Sequence, residues 1–166
     1  MSESPPPIAW VSQQVIDSLI IEANRGLSNE TGGILWGYWN ETYTEVVIKN
    51  TVGPGPKALH SRYGFVPDYS FHNEVIQSLY EQSNRLETYL GDWHSHPDGG
   101  CCLSFKDKKT LHNIASYTAA RAPKPIMAII AGKESWRVKI WSYSKHPMLP
   151  FWLRWKQFKR MKVKIF

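Results

Sequence analysis

The sequence predicts an α/β (α+β) domain in which helices flank one curved, mixed β-sheet. Three observations carry this prediction. Segments of helical apolar spacing alternate with short β-branched runs in the order α-β-β-α-β-α-β-β, a pattern that layers helices on a sheet. The 166 residues, 42% of them hydrophobic, suit one domain with a core of its own. No internal repeat or low-complexity block interrupts the pattern beyond Pro5-Pro6-Pro7.

Ile8, Val11, Val15, Leu19 and Ala23 recur at helical intervals, with Ile16 and Ile20 alongside, and predict an amphipathic helix over 8–23 that stops near Gly26. Ile34 to Trp39 and Tyr43 to Lys49 read as two strands joined by a polar turn at Asn40-Glu41. The stretch 51–67 is rich in glycine and proline and reads as a long loop, placed to wall a substrate groove. Phe71, Val75, Ile76, Leu79 and Leu86 return to helical spacing behind Asp68, a natural N-cap. Thr88 to His94 is the next strand. A glycine-containing loop then leads to a helix from Phe105 to Ala120 capped by Ser104, and Pro125 to Ala131 and Trp136 to Tyr143 are the last two strands.

Composition narrows the function. No run approaches the roughly 20 apolar residues of a membrane-spanning helix, and the start lacks the basic and apolar regions of a secretory signal. A cytoplasmic location is expected. Cys101 and Cys102 are adjacent, which gives no disulfide framework and no cysteine-based zinc site. The net charge of +6 is uneven: seven basic residues and no acid lie from Lys145 onward, leaving 13 basic against 14 acidic residues before it. The sequence therefore divides into a nearly neutral domain, 1–144, and a basic aromatic extension, 145–166. Three readings of the extension compete: packing of its aromatics on the domain, docking of a partner, or contact with an anionic membrane or nucleic acid. The first is preferred, and no specific nucleic-acid partner is expected.

The segment Gly91-Asp92-Trp93-His94-Ser95-His96-Pro97 carries the chemistry. Residues i and i+2 of a strand share a face, so His94 and His96 can present both imidazoles to one point. Two imidazoles and one carboxylate make a catalytic zinc shell with a position left for water. Asp107, in the first turn of the helix after the glycine-containing loop, is placed to be the third ligand. Such a site also needs a general base and a donor for the oxyanion. Spacing leaves Asp92, Asp98 and Glu30 all open as the base. Trp93 reads as core packing, and His60, His72, His112 and His146 show no ligand spacing.

His94-x-His96, seven residues, Ser104, two residues and Asp107 together resemble the JAMM motif of the JAB/MPN metallopeptidases. Glu30-Thr31-Gly32-Gly33-Ile34-Leu35-Trp36-Gly37 is similar to that family's E-x-x-G-x-x-x-G segment. The resemblance extends from the first helix to about Tyr143. It implies an MPN/JAB domain of cytidine-deaminase-like topology that binds Zn2+ through His94, His96 and Asp107. It further implies that Glu30 holds and deprotonates the catalytic water and that Ser104 donates to the oxyanion. Ser104 and Asp107 also suit a helix N-terminus, and the two roles are compatible.

The Gly91-Asp92-Trp93 lead-in, the Gly-Pro-rich loop before Phe65-Val66-Pro67-Asp68 and the compact size resemble the stand-alone bacterial branch, whose members accompany E1-like and E2-like proteins in operons, including anti-phage defence systems. The implied activity is cleavage after the C-terminus of a ubiquitin-like protein, in deconjugation or precursor processing, with the substrate tail held by β-augmentation. A peptidase acting on a sulfur-carrier or other small protein, and a non-catalytic MPN scaffold, are the alternatives. The Cys101-Cys102 pair departs from the family pattern and raises oxidation or adventitious metal binding beside the site.

Overall fold

The computed structural model describes residues 5–146 and 156–166. Eight strands form one sheet in the order β10-β1-β3-β2-β6-β7-β8-β9. In chain order the elements are β1 (Ile8–Val11), α1 (Gln13–Arg25), β2 (Gly32–Trp39), β3 (Glu45–Val52), β4 (Leu59–Ser61), β5 (Gly64–Val66) and α2 (Tyr69–Gln82). They continue with β6 (Thr88–His96), α3 (Phe105–Ser116), β7 (Ile126–Ala131), β8 (Arg137–Tyr143), β9 (Phe158–Arg160) and β10 (Lys162–Ile165).

Two apolar clusters hold the layers together. One gathers Val15, Ile16, Leu19 and Ala23 of α1 against Ala9, Val11, Leu35, Val46, Ile48, Leu90 and Trp93 of the sheet. The other packs Leu111 of α3 and Cys101 against Met127, Ile129, Ala131 and Tyr143. Burial of these side chains is the main term holding helices to sheet, at roughly 25 cal/mol per Å² of apolar surface. α3 lies in the crossover between β6 and β7, which pair in parallel and so need such a connection.

Several elements depart from the sequence expectation. The predicted first helix is two elements: Ile8–Val11 is a strand, parallel to both β3 and β10, and α1 begins after Ser12, whose hydroxyl accepts the Val15 N–H at 3.3 Å. The apolar spacing runs through both because the strand and the helix bury residues against the same core. The 51–67 stretch is not all loop, since β4 and β5 form a hairpin within it. Asp68 caps α2 as expected, accepting the Phe71 N–H at 3.2 Å, and that helix ends at Gln82.

The extension was set apart in the sequence, but its described residues are woven into the sheet. β9 pairs with β8 and β10 with β1, so one short segment joins the two edges of the curved sheet. Between them the Met161 N–H donates to the Ile140 carbonyl and the Lys162 N–H to the Pro7 carbonyl, both at 2.9 Å. Phe158 packs on Tyr143, with ring centroids 5.1 Å apart. Phe151, Trp152 and Trp155, aromatic residues of the extension, lie outside the described residues. Among the described residues no helix is long and apolar enough to cross a membrane.

Candidate metal centre and its groove

β6 ends at His96, and its alternation turns Asp92, His94 and His96 to one face. A β-bulge interrupts it earlier: Leu35 faces Gly91 and Trp36 faces Tyr89, leaving Leu90 unmatched. Leu90 enters the core below, and Tyr89 joins the Asp92 face. Gly91 holds φ at +142°, where a Cβ would run into the Ile126 carbonyl, so the bulge requires glycine there.

The two imidazoles meet at the strand end, Nε2 to Nε2 at 2.9 Å. The Gly100 carbonyl, 2.9 Å from His96 Nδ1, can only accept, so Nδ1 carries a proton and in the neutral tautomer Nε2 bears the lone pair. Asp107 approaches from the first turn of α3. Its Oδ2 accepts the Ser104 N–H at 2.7 Å, while Oδ1 lies 3.4 Å from His94 Nε2. One ligand atom from each of His94, His96 and Asp107 lies within 4.8 Å of the others, close enough to hold one metal ion. The donor set fits zinc, since it offers neutral imidazole and carboxylate with hydrogen-bonded outer partners. Burial pushes the His94 pKa down to about 4 against the opposing pull of Asp107, so its ring is a neutral donor near pH 7.

Of the three carboxylates left open as the base, Glu30 faces the cluster, with Oε1 3.9 Å from His96 Nε2. Burial raises its pKa above the ordinary glutamate value, against the lowering effect of His96 and Lys106. Asp98 points outward to Arg62 at 3.7 Å, and Asp92 lies further along β6. The β4–β5 hairpin secures Glu30, whose N–H donates to the Ser61 carbonyl at 2.8 Å and whose carbonyl accepts from His60 Nδ1 at 3.1 Å. His60 thus supports the site, a role without sequence signal because the contact spans 30 positions. Ser104 Oγ accepts the Asp107 N–H at 3.2 Å, completing a capping box and leaving its own hydroxyl proton free to donate.

A cavity of about 830 Å³ opens from this cluster. Tyr63, Phe65 and Pro67 of the 51–67 stretch wall it near Glu30, α2 and α3 form its sides, and Ile34, Asp92 and Met127 line its floor. His72 reaches it while its Nε2 donates to the Gly53 carbonyl at 2.8 Å. His112 bonds the Tyr143 hydroxyl instead. Trp93 is buried in the core, its Nε1–H donating to the Val52 carbonyl at 3.1 Å. Cys101 is buried with its thiol on the Arg137 carbonyl, and Cys102 is exposed; neither joins the three-residue cluster.

A curved sheet with a His-x-His strand end and an aspartate from the following helix defines a metallohydrolase-like domain. The family model described as prokaryotic homologs of the JAB domain matches residues 12–142, and the chain belongs to that family. The probable metalloprotease y4qB of Sinorhizobium fredii (strain NBRC 101917 / NGR234) is 34% identical over 138 residues, 82% of this chain and 84% of that one. A CD-NTase/cGAS isopeptidase of Escherichia coli (strain TW11681) is 31% identical over 107 residues, 64% of each chain. Another protein so named, from Enterobacter hormaechei subsp. hoffmannii (strain UCI 50), is 27% identical over 123 residues, 74% of this chain and 66% of that one. The solution structure of protein DSY2949 from Desulfitobacterium hafniense shares the fold, with a TM-score of 0.67 at 15% identity over 95% of this chain and 92% of that one. The protein is a JAB-type hydrolase of the peptidase or isopeptidase kind.

Proposed function

We propose that the protein is a zinc-dependent isopeptidase or peptidase that cleaves after the C-terminus of a ubiquitin-like protein. The convergence of His94, His96 and Asp107 beside the Glu30 carboxylate carries this reading. When bound, zinc supplies Lewis acidity to the scissile carbonyl and brings the pKa of a water to about 7. The Glu30 carboxylate accepts the proton of the attacking water and returns it to the leaving amine, so one group serves both halves of the reaction. The Ser104 hydroxyl, its lone pair engaged by the Asp107 N–H, donates to the oxyanion. The outer edge of β5 makes no backbone pairing among the described residues, which suits β-augmentation by an extended substrate tail.

Relatives named CD-NTase/cGAS isopeptidases favour a conjugate of that kind of nucleotidyltransferase as the substrate, in a bacterial anti-phage system. E1-like and E2-like proteins of the same operon are the accompanying partners, and the cytoplasm is the site of action. The scaffold alternative is disfavoured because no member of the ligand set is missing.

The experiment is cleavage of ubiquitin-like fusion and conjugate substrates by zinc-loaded protein, with Glu30→Ala and a chelator as controls. Cleavage at the ubiquitin-like C-terminus that both controls abolish is the expected result. Metal-loaded protein that cuts nothing across the panel would overturn the reading.

A further inference from the structure

The groove floor holds a carboxylate that the reaction above does not use. Asp92 lies two residues before His94 on the same face of β6, flanked by Ile34 of β2 and Met127 of β7 in the sheet register. Its Oδ1 accepts the Tyr89 hydroxyl at 2.6 Å, a contact available because the Leu90 bulge turns Tyr89 to this face. Among the described residues no lysine, arginine or histidine forms an ion pair with it. The nearby His72 has committed Nε2 to the Gly53 carbonyl. A carboxylate between two apolar side chains, its ionised form opposed by burial and favoured by the Tyr89 hydroxyl and the field of His72 without an ion pair, is an incomplete site.

We infer that Asp92 is a specificity-determining residue, receiving the cationic side chain of a lysine or arginine in an extended peptide tail bound along β6. The tail position lies about two residues from the bond to be cut, because strand and tail share nearly the same rise per residue. The surroundings suit this ligand. Ile34, Met127 and Ile76 of α2 line the groove and accept the aliphatic stem, while the carboxylate takes the charged tip. Tyr89 fixes the carboxylate rotamer and leaves Oδ2 for the incoming donor. Asp92 and His96 line the same cavity, which suits one chain reaching both places.

The inference rests on the peptidase reading for its link to a scissile bond, and binding separates the two. The probes are fluorescein-labelled hexapeptides in which a single lysine is walked through a glycine, serine and leucine background, each with a norleucine counterpart. Anisotropy titrations use metal-free, full-length protein. At one or two adjacent positions lysine is expected to bind about tenfold tighter than norleucine, the size of a charge-assisted hydrogen bond. In Asp92→Asn, whose amide oxygen still accepts from Tyr89, the difference should fall below about twofold. In the unmodified protein, which needs no variant to fold, the lysine advantage should shrink with added salt.

Equal binding at every position, persistence of the advantage in Asp92→Asn with an unchanged melting curve, or no binding of any peptide would each overturn the inference. A lysine advantage in a protein that cuts no substrate supports the inference and removes the peptidase reading. Cleavage indifferent to lysine does the reverse.

Discussion

Ser104 and Asp107 hold each other in place across the first turn of α3. The Asp107 N–H reaches Ser104 Oγ at 3.2 Å, and the Ser104 N–H reaches Asp107 Oδ2 at 2.7 Å. The exchange satisfies two free helix-end donors and turns Asp107 Oδ1 toward His94. A helix cap therefore doubles as the support of Asp107, the proposed metal ligand, which makes its stability role and its proposed chemical role separable by choice of substituent.

Ser104→Ala removes cap and hydroxyl together, and should cost about 1 kcal/mol of stability and about 10²–10³ in kcat. Ser104→Gly keeps most of the cap energy, with a stability loss of only a few tenths of a kcal/mol, while losing the same rate. Urea unfolding and turnover on one fusion substrate read the two effects. Equal rates in Ser104→Gly and the parent would remove Ser104 from the chemistry.

Asp107→Asn keeps an acceptor for the Ser104 N–H, and in doing so turns its NH2 toward His94, where a donor opposes a metal. Zinc affinity should fall by at least about tenfold to a hundredfold, with little change in the melting temperature of the chelated protein. Added zinc should raise the melting temperature of the parent and not of this variant. Metal content by elemental analysis, alongside thermal scans, checks both statements.

Glu30→Gln retains the shape of the side chain and its backbone bonds to the β4–β5 hairpin. Turnover should drop by about 10²–10⁴ while zinc content and melting temperature stay at parental values. A variant that loses metal as well would make Glu30 a ligand and not the base.

Gly33 lies where β2 passes the end of β3, and a Cβ there would run into the Val52 carbonyl. Gly33→Ala should destabilise by about 1–3 kcal/mol, read from the urea midpoint. It should also lower kcat, because the shift displaces the strand start that carries Glu30.

A chain ending at Lys145 loses β10 and β9, the outer partners of β1 and β8. Two open sheet edges invite aggregation, so the truncated protein should melt lower and associate in light scattering. This effect should not track ionic strength as an electrostatic role of the basic residues would.

The sequence alone determined the parts of this protein that depend on local order. Period-2 alternation put His94 and His96 on one face, a serine three residues before an aspartate specified the cap of α3, and apolar spacing marked α2 and the central strands. The spacing of His94, His96, Ser104 and Asp107, with Glu30 upstream, matches a family motif without reference to the fold. Tertiary structure decided what depends on partners distant in the chain. Ile8–Val11 carries a spacing that either helix or strand accepts, and becomes a strand because β3 and β10 flank it. The hairpin at 59–66 forms beside Glu30, whose backbone hydrogen-bonds to it. Spacing leaves Glu30, Asp92 and Asp98 all open, and only folding brings one to His96, turns one to Arg62 and leaves one on the groove floor against Tyr89. Backbone periodicity is written residue by residue, whereas the field and neighbours of a carboxylate are summed over every element packed around it.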